Sequence, residues 1–87
     1  MIHSSVIIEE GSVISENVSI GPFCHIGKEV TVSRGAKLES NIILSGKVFL
    51  DEDVRIFSFT TIGSESADIH IGKRTHIREF SQIVSRK

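Results

Sequence analysis

The sequence predicts an all-β fold, a parallel β-helix of six-residue repeats, and three observations support this prediction. Stepping by six from Ile2 meets an aliphatic residue at every stop as far as Ile62. After three extra residues the pattern resumes at Ile71 and continues to Ile83. The residue four places after each of these positions is mostly small or β-branched. Because this period fits neither an α-helix nor one long strand, we expect no helix.

Each repeat is expected to form one side of a triangular coil, so that residues 18 apart stack at about the 4.8 Å spacing of paired strands. Three inward columns result, one for each side of the coil. The columns are Ile2, Ile20, Leu38 and Ile56; Ile8, Ile26, Leu44 and Ile62; and Ile14, Val32, Leu50 and Ile71. Because coils bury their inward residues by stacking, we expect one domain, residues 1–87, with about five coils.

Turn-forming residues recur three places after the aliphatic positions, which predicts the corners of the coils. They are Gly11, Asn17, Gly35, Asn41 and Asp53. The three extra residues between Gly63 and Ile71 predict one short loop near residues 64–70.

Composition excludes some partners. A formal net charge of -1 gives no reason to expect nucleic acid, and no apolar segment has the length of a membrane span. The opening residues lack the cationic and apolar stretches of a secretion signal, so a cytoplasmic location is expected. The single cysteine, Cys24, is expected to be a small buried side chain.

Two segments carry a more specific pattern, Ile20–Gly27 with the sequence IGPFCHIG and Ile77–Phe80 with the sequence IREF. Both resemble the acyl-carrier-protein-dependent UDP-N-acetylglucosamine O-acyltransferases of lipid A biosynthesis. Ile2–Ser5 and Ile56–Gly63 match the N-terminal coils of the same family in order and spacing. The resemblance implies a left-handed β-helix, although parallel crossovers are right-handed in nearly all other folds.

The resemblance also implies an activity, the transfer of a 3-hydroxyacyl chain from acyl carrier protein to the glucosamine 3-hydroxyl. The family forms homotrimers whose sites lie between subunits, and it needs no cofactor. Its general-base histidine lies several coils beyond the segment that corresponds to Ile77–Phe80. Because the sequence stops at Lys87, we predict no catalytic residue and expect this homologue of the first coils to be inactive alone.

Asp68 is the one substrate-binding residue that the resemblance carries over. The family places a Gln-Asp-x-Lys-Tyr element after the segment that corresponds to Ile56–Gly63, where it helps to hold the sugar nucleotide. In the shorter loop here, Asp68 matches the aspartate, Ala67 replaces the glutamine, and the lysine and tyrosine have no counterpart. Asp68 is expected to accept hydrogen bonds from sugar hydroxyls, the alternative being an aspartate that only favours a turn.

Basic residues concentrate near the end of the sequence. Residues 71–87 hold five of the ten lysines and arginines and a single acid, Glu79. We expect Arg74 and Arg78 to attract an acidic carrier protein or another anion. The alternative is a solvated basic rim that discourages edge-to-edge stacking of coils.

The four histidines do not have the spacing of a zinc site, so no metal is predicted. His25 and His76 occupy the sixth place of a repeat, where side chains are expected to point into solvent. His70 and His76 also lie close to Asp68 in sequence, and a histidine oriented by a carboxylate can deprotonate a sugar hydroxyl.

Three functions follow from these patterns. The first is an inactive homologue of the acyltransferase, with UDP-N-acetylglucosamine, acyl carrier protein and further copies of the chain, most simply as a trimer, as partners. The second is a non-catalytic β-helical scaffold. The third is a small acetyltransferase that uses acetyl-CoA and His70 or His76.

Overall fold

The computed structural model describes residues 1–64 and 68–85, and in this part of the chain all regular structure is β-strand. Thirteen short strands follow one another in these described residues. They are β1 (Ile7–Ile8), β2 (Val13–Ile14), β3 (Ser19–Ile20), β4 (His25–Ile26), β5 (Val30–Val32), β6 (Lys37–Leu38), β7 (Ile43–Ser45), β8 (Val48–Leu50), β9 (Arg55–Ile56), β10 (Thr61–Ser64), β11 (Ile69–Ile71), β12 (His76–Ile77) and β13 (Gln82–Ser85). The prediction that the chain forms short strands and no helix is confirmed over these residues.

Every third strand joins the same parallel sheet, so the chain winds round a three-sided prism. Sheet I has the order β1-β4-β7-β10-β13, sheet II is β2-β5-β8-β11, and sheet III is β3-β6-β9-β12. With five strands in sheet I and four in each of the others, residues 1–64 and 68–85 make four complete coils and part of a fifth. The predicted parallel β-helix is confirmed.

The strand registers confirm the three predicted inward columns. Leu38 pairs with Ile20 and Ile56 in sheet III, and Leu44 pairs with Ile26 and Ile62 in sheet I. These side chains are at most 3% exposed, and together with the columns of sheet II they form one continuous core. The core thins at the first coil, where the side chains of Ile2 and Ile8 are 41% and 40% exposed because they lie at the edge of their sheets.

The loop is shorter than predicted. β10 ends at Ser64 and β11 already begins at Ile69, so Ile69 and His70 belong to a strand rather than to the expected loop 64–70. Ile69 pairs with Val48 and Ile71 pairs with Leu50, which restores the register after the insertion. The remainder of the predicted loop, residues 65–67, lies outside the described residues.

The predicted corner residues all adopt a left-handed backbone. Gly11, Asn17, Gly35, Asn41 and Asp53 have φ between 58° and 107°. Four bulkier residues share this conformation at equivalent corners, although their types did not predict it: Phe23, Phe59, Arg74 and Phe80. At these corners the path of the coil imposes the left-handed conformation even on bulky side chains, whereas Glu29 and Lys47, at the same place of other repeats, do not adopt it.

Phe23 lies at a corner with φ 62°, a left-handed conformation that is unfavourable for a bulky residue. Because it is 68% exposed, burial of its side chain does little to offset that cost. Asparagine tolerates this conformation better. We expect Phe23→Asn to raise the free energy of unfolding by up to about 1 kcal/mol in urea denaturation. Phe59→Asn is the matched control, because Phe59 stacks on Phe80 with a ring centroid distance of 5.3 Å and should gain less. Equal gains at both corners would contradict this account.

Candidate functional site

Asp68 is an exposed residue directly before β11, on the corner that leads from sheet I to sheet II. The strand registers determine its neighbours. Val48 pairs with Val30 on one side and with Ile69 on the other. The residues that precede these three, Glu29, Lys47 and Asp68, therefore lie on successive rungs, about 4.8 Å apart.

This arrangement surrounds a shallow cavity of about 220 Å³. The backbone carbonyl of Lys47 accepts a hydrogen bond of 2.9 Å from the amide of Ile69, which fixes the position of Asp68 relative to Lys47. The residues that line the cavity are Glu29, Thr31, Lys47, Val48, Phe49 and Asp68. Residues that carry two carboxylates, one ammonium, one hydroxyl and an aromatic ring thus border a single cavity on the prism, which we call the Asp68 cleft.

His70 lies beside this cleft but is not oriented by Asp68. Its Nε2 atom is 3.3 Å from Oδ2 of Asp51, and its ring packs edge-to-face on Phe49 with a centroid distance of 4.7 Å. His76 instead approaches the ring of Phe57 at 6.4 Å. Within the described residues, neither histidine makes a hydrogen bond to Asp68, and the carboxylate beside His70 is that of Asp51 instead.

Asp51 is held as a carboxylate. The backbone amide of Glu52 donates a hydrogen bond of 2.7 Å to Oδ1 of Asp51 and lowers the pKa of that carboxyl below its ordinary value. The hydrogen bond with His70 and the charge of Lys73 lower it further. The contact of His70 with Asp51 and its packing on Phe49 together hold the His70 ring on this face of the prism.

Arg74 and Arg78 lie in different environments. Arg74 occupies the corner between β11 and β12 with φ 60° and is exposed. Arg78 follows β12, with its guanidinium carbon 4.0 Å from the ring centroid of Phe57 and its Nε atom 3.3 Å from Glu79. Both side chains reach solvent, which is compatible with contact to an anion, but Arg78 is already engaged by its neighbours.

His25 is half-buried and makes a contact that the sequence analysis did not anticipate. Its Nε2 atom is 2.6 Å from Oε2 of Glu9, one rung away in sheet I. The two side chains line a second cavity of about 230 Å³. No three side chains of metal-binding type converge here or elsewhere within residues 1–64 and 68–85.

Of the residues that line the Asp68 cleft, only Asp68 was predicted from the sequence. Glu29 and Lys47 are 18 residues apart, and Asp68 follows Lys47 by 21 because of the insertion. Applying the column arithmetic to outward residues as well as inward ones would have placed all three together.

In the described part of the chain, no helix has the length and apolarity needed to cross a membrane.

Comparison with known proteins agrees with the fold. A crystal structure of a UDP-N-acetylglucosamine acyltransferase superimposes with a TM-score of 0.93 and 33% identity, over 97% of this chain and 36% of that one. LpxA from Acinetobacter baumannii superimposes with a TM-score of 0.91 and is 34% identical, over 95% of this chain and 36% of that one. Serine acetyltransferase isoform 3 from Entamoeba histolytica superimposes with a TM-score of 0.72, over 99% of this chain and 35% of that one. At 19% identity, this likeness shows a shared fold and nothing more. The chain is thus a left-handed parallel β-helix of the hexapeptide-repeat class.

The sequence match is more particular. The acyl-[acyl-carrier-protein]--UDP-N-acetylglucosamine O-acyltransferase of Bartonella quintana (strain Toulouse) is 34% identical over 87 aligned residues, covering 90% of this chain. The predicted resemblance is confirmed, and the chain is a homologue of part of the UDP-N-acetylglucosamine acyltransferases. It spans only about a third of their length, 32% of the Bartonella protein. No family model matches it.

Proposed function

We propose that this chain is the sugar-nucleotide-binding part of an acyltransferase of lipid A biosynthesis, and that it transfers no acyl chain by itself. The observation that carries the proposal is the position of Asp68, which the family resemblance assigns to substrate binding. It lies at the start of β11 and opens on a cavity of about 220 Å³, in a chain that matches these acyltransferases over nearly all of its length.

The family resemblance supports the absence of transfer, because it matches no histidine of this sequence to the general base of the family. Proton abstraction needs a base within hydrogen-bond reach of the substrate hydroxyl. In the described residues, His70 is bound to Asp51 and His25 to Glu9, while His76 packs near Phe57. These contacts do not assign a base role, and because the family resemblance gives that role to none of the three, we propose no general base here; no cofactor or metal enters the proposal.

The proposed partners are acyl carrier protein and further copies of the chain. Acyl carrier protein is an acidic protein, and we propose that Arg74 and Arg78 contribute to its attraction. Further copies of the chain, most simply in a trimer, would bring these surfaces together in the cytoplasm. The mass of the species in solution tests the trimer, and a monomer would count against it.

Titration of the chain with UDP-N-acetylglucosamine in a calorimeter tests the binding role. We expect saturable binding, and Asp68→Asn should weaken it about tenfold because a charged acceptor of hydrogen bonds from the sugar hydroxyls is lost. Asp53→Asn is the matched control, since Asp53 lies at a different corner and asparagine suits its φ of 59°.

Two assays on the same protein separate the other functions. Turnover of 3-hydroxyacyl carrier protein with UDP-N-acetylglucosamine would disprove the lack of transfer. Turnover of acetyl-CoA that His70→Ala abolishes would favour the small acetyltransferase. If the chain bound none of UDP-N-acetylglucosamine, 3-hydroxyacyl carrier protein and acetyl-CoA, the binding proposal would be overturned. The non-catalytic scaffold would then describe the chain better.

A further inference from the structure

We infer that Glu29, Lys47 and Phe49 join Asp68 in a pocket for a single saccharide ring, and that the phosphate groups of the ligand lie outside it. The inference rests on the proposed function and deepens it, because it adds residues that the family resemblance did not supply. It also states which chemical part of a sugar nucleotide the cleft accepts.

Position is the first argument. Glu29, Lys47 and Asp68 precede three residues that pair across sheet II, so they form one column with Lys47 in the middle. Phe49 lies two residues after Lys47 in the same coil and faces outward from β8, with 37% of its surface exposed. Acid, base and aromatic ring therefore border the same cavity.

Charge is the second argument. Two carboxylates and one ammonium give the cleft a formal charge of -1. Carboxylates accept hydrogen bonds from hydroxyls, and an ammonium donates to hydroxyl and amide oxygens, so the set suits a neutral, hydroxyl-rich ring. A diphosphate in the cleft would meet two carboxylates and a single ammonium, from Lys47, so the net negative charge selects against it.

Size and shape are the third argument. A volume of about 220 Å³ is below the ~300 Å³ at which pockets for drug-sized ligands begin, so the cleft holds about one sugar ring, and the rest of a nucleotide sugar would extend beyond it. The edge of the His70 ring packs against Phe49 and limits its movement. The exposed part of the Phe49 ring then offers an apolar surface to the C–H groups of the sugar.

The test is calorimetric titration of the whole chain with UDP-N-acetylglucosamine and, separately, with UDP. Glu29→Gln keeps the shape and removes the charge. We expect it to raise the dissociation constant for UDP-N-acetylglucosamine about tenfold and to leave binding of UDP unchanged or tighter. Lys47→Met should also weaken binding of the sugar nucleotide. Glu16→Gln, at an exposed corner on another edge of the prism, is the control and should change neither constant.

The outcomes distinguish this inference from the proposed function. If the native chain does not bind UDP-N-acetylglucosamine, the proposed function fails and the inference fails with it. If the native chain binds and Glu29→Gln binds equally well, only the inference is wrong. Equal weakening of UDP and UDP-N-acetylglucosamine would also overturn it, because the cleft would then recognise the nucleotide. Circular dichroism of each variant shows that the fold is retained.

Discussion

Replacing Leu44 by alanine should lower the free energy of unfolding by about 2–5 kcal/mol, the range for truncation of a fully buried leucine. Leu44 is 0% exposed and lies in the middle of its column, with Ile26 on the rung before and Ile62 on the rung after. The surrounding backbone belongs to parallel strands on all three sides, so it cannot collapse into the space left behind. The loss is a large share of the ~5–15 kcal/mol that stabilises a typical domain.

Ile43→Ala provides the control for this change. Ile43 is the preceding residue of the same strand, but its side chain points to solvent and is 47% exposed. Urea denaturation followed by circular dichroism should give it a loss below about 1 kcal/mol. If the two variants lost similar stability, Leu44 would not be packed inside the prism and the inward columns would be wrong.

The core could be predicted because one physical rule fixes it. Each rung buries its side chain only by stacking on the next, so the chemical type of the inward residue repeats without interruption from Ile20 to Leu38 to Ile56. The corners were predicted less completely. Glycine, asparagine and aspartate mark a left-handed corner by their own preferences, whereas Phe23 and Phe59 adopt it because the coil requires it.

The site was harder to predict because outward residues obey no such rule. Asp68 was found by resemblance, but its neighbours Glu29 and Lys47 come from two earlier coils and match no motif. The partner of His70 shows the same difficulty. Proximity in sequence suggested Asp68, whereas the register of β8 and β11 brings His70 to Asp51. The pairing of strands that are distant in sequence decides these contacts. In the sequence, only the length of the repeat indicates which strands pair.

Adding a single methyl group at Gly21 should also destabilise the fold strongly, because sheet III leaves no room for it. A β-carbon built on Gly21 would lie 2.6 Å from the carbonyl oxygen of Glu39 and 2.9 Å from its carbonyl carbon. Both are backbone atoms of the neighbouring rung, so relief requires the two rungs to move apart. The amide of Gly21 donates to the carbonyl of Leu38 at 2.8 Å, and that hydrogen bond would be strained as well. We expect Gly21→Ala to cost about 2–3 kcal/mol.

Gly72→Ala isolates the steric cause, because Gly72 follows the inward Ile71 just as Gly21 follows the inward Ile20. A β-carbon at Gly72 would meet nothing within 4 Å, and its backbone does not need the left-handed conformation. Alanine there should be neutral or stabilise by up to about 1 kcal/mol, since it restricts the unfolded chain. A loss at Gly72 as large as the loss at Gly21 would show that glycine is needed at this place of the repeat for another reason. A loss at Gly21 alone would show that the repeat requires glycine where a following rung packs against this place, as at Gly21, and not at the sheet edge, where Gly72 follows β11.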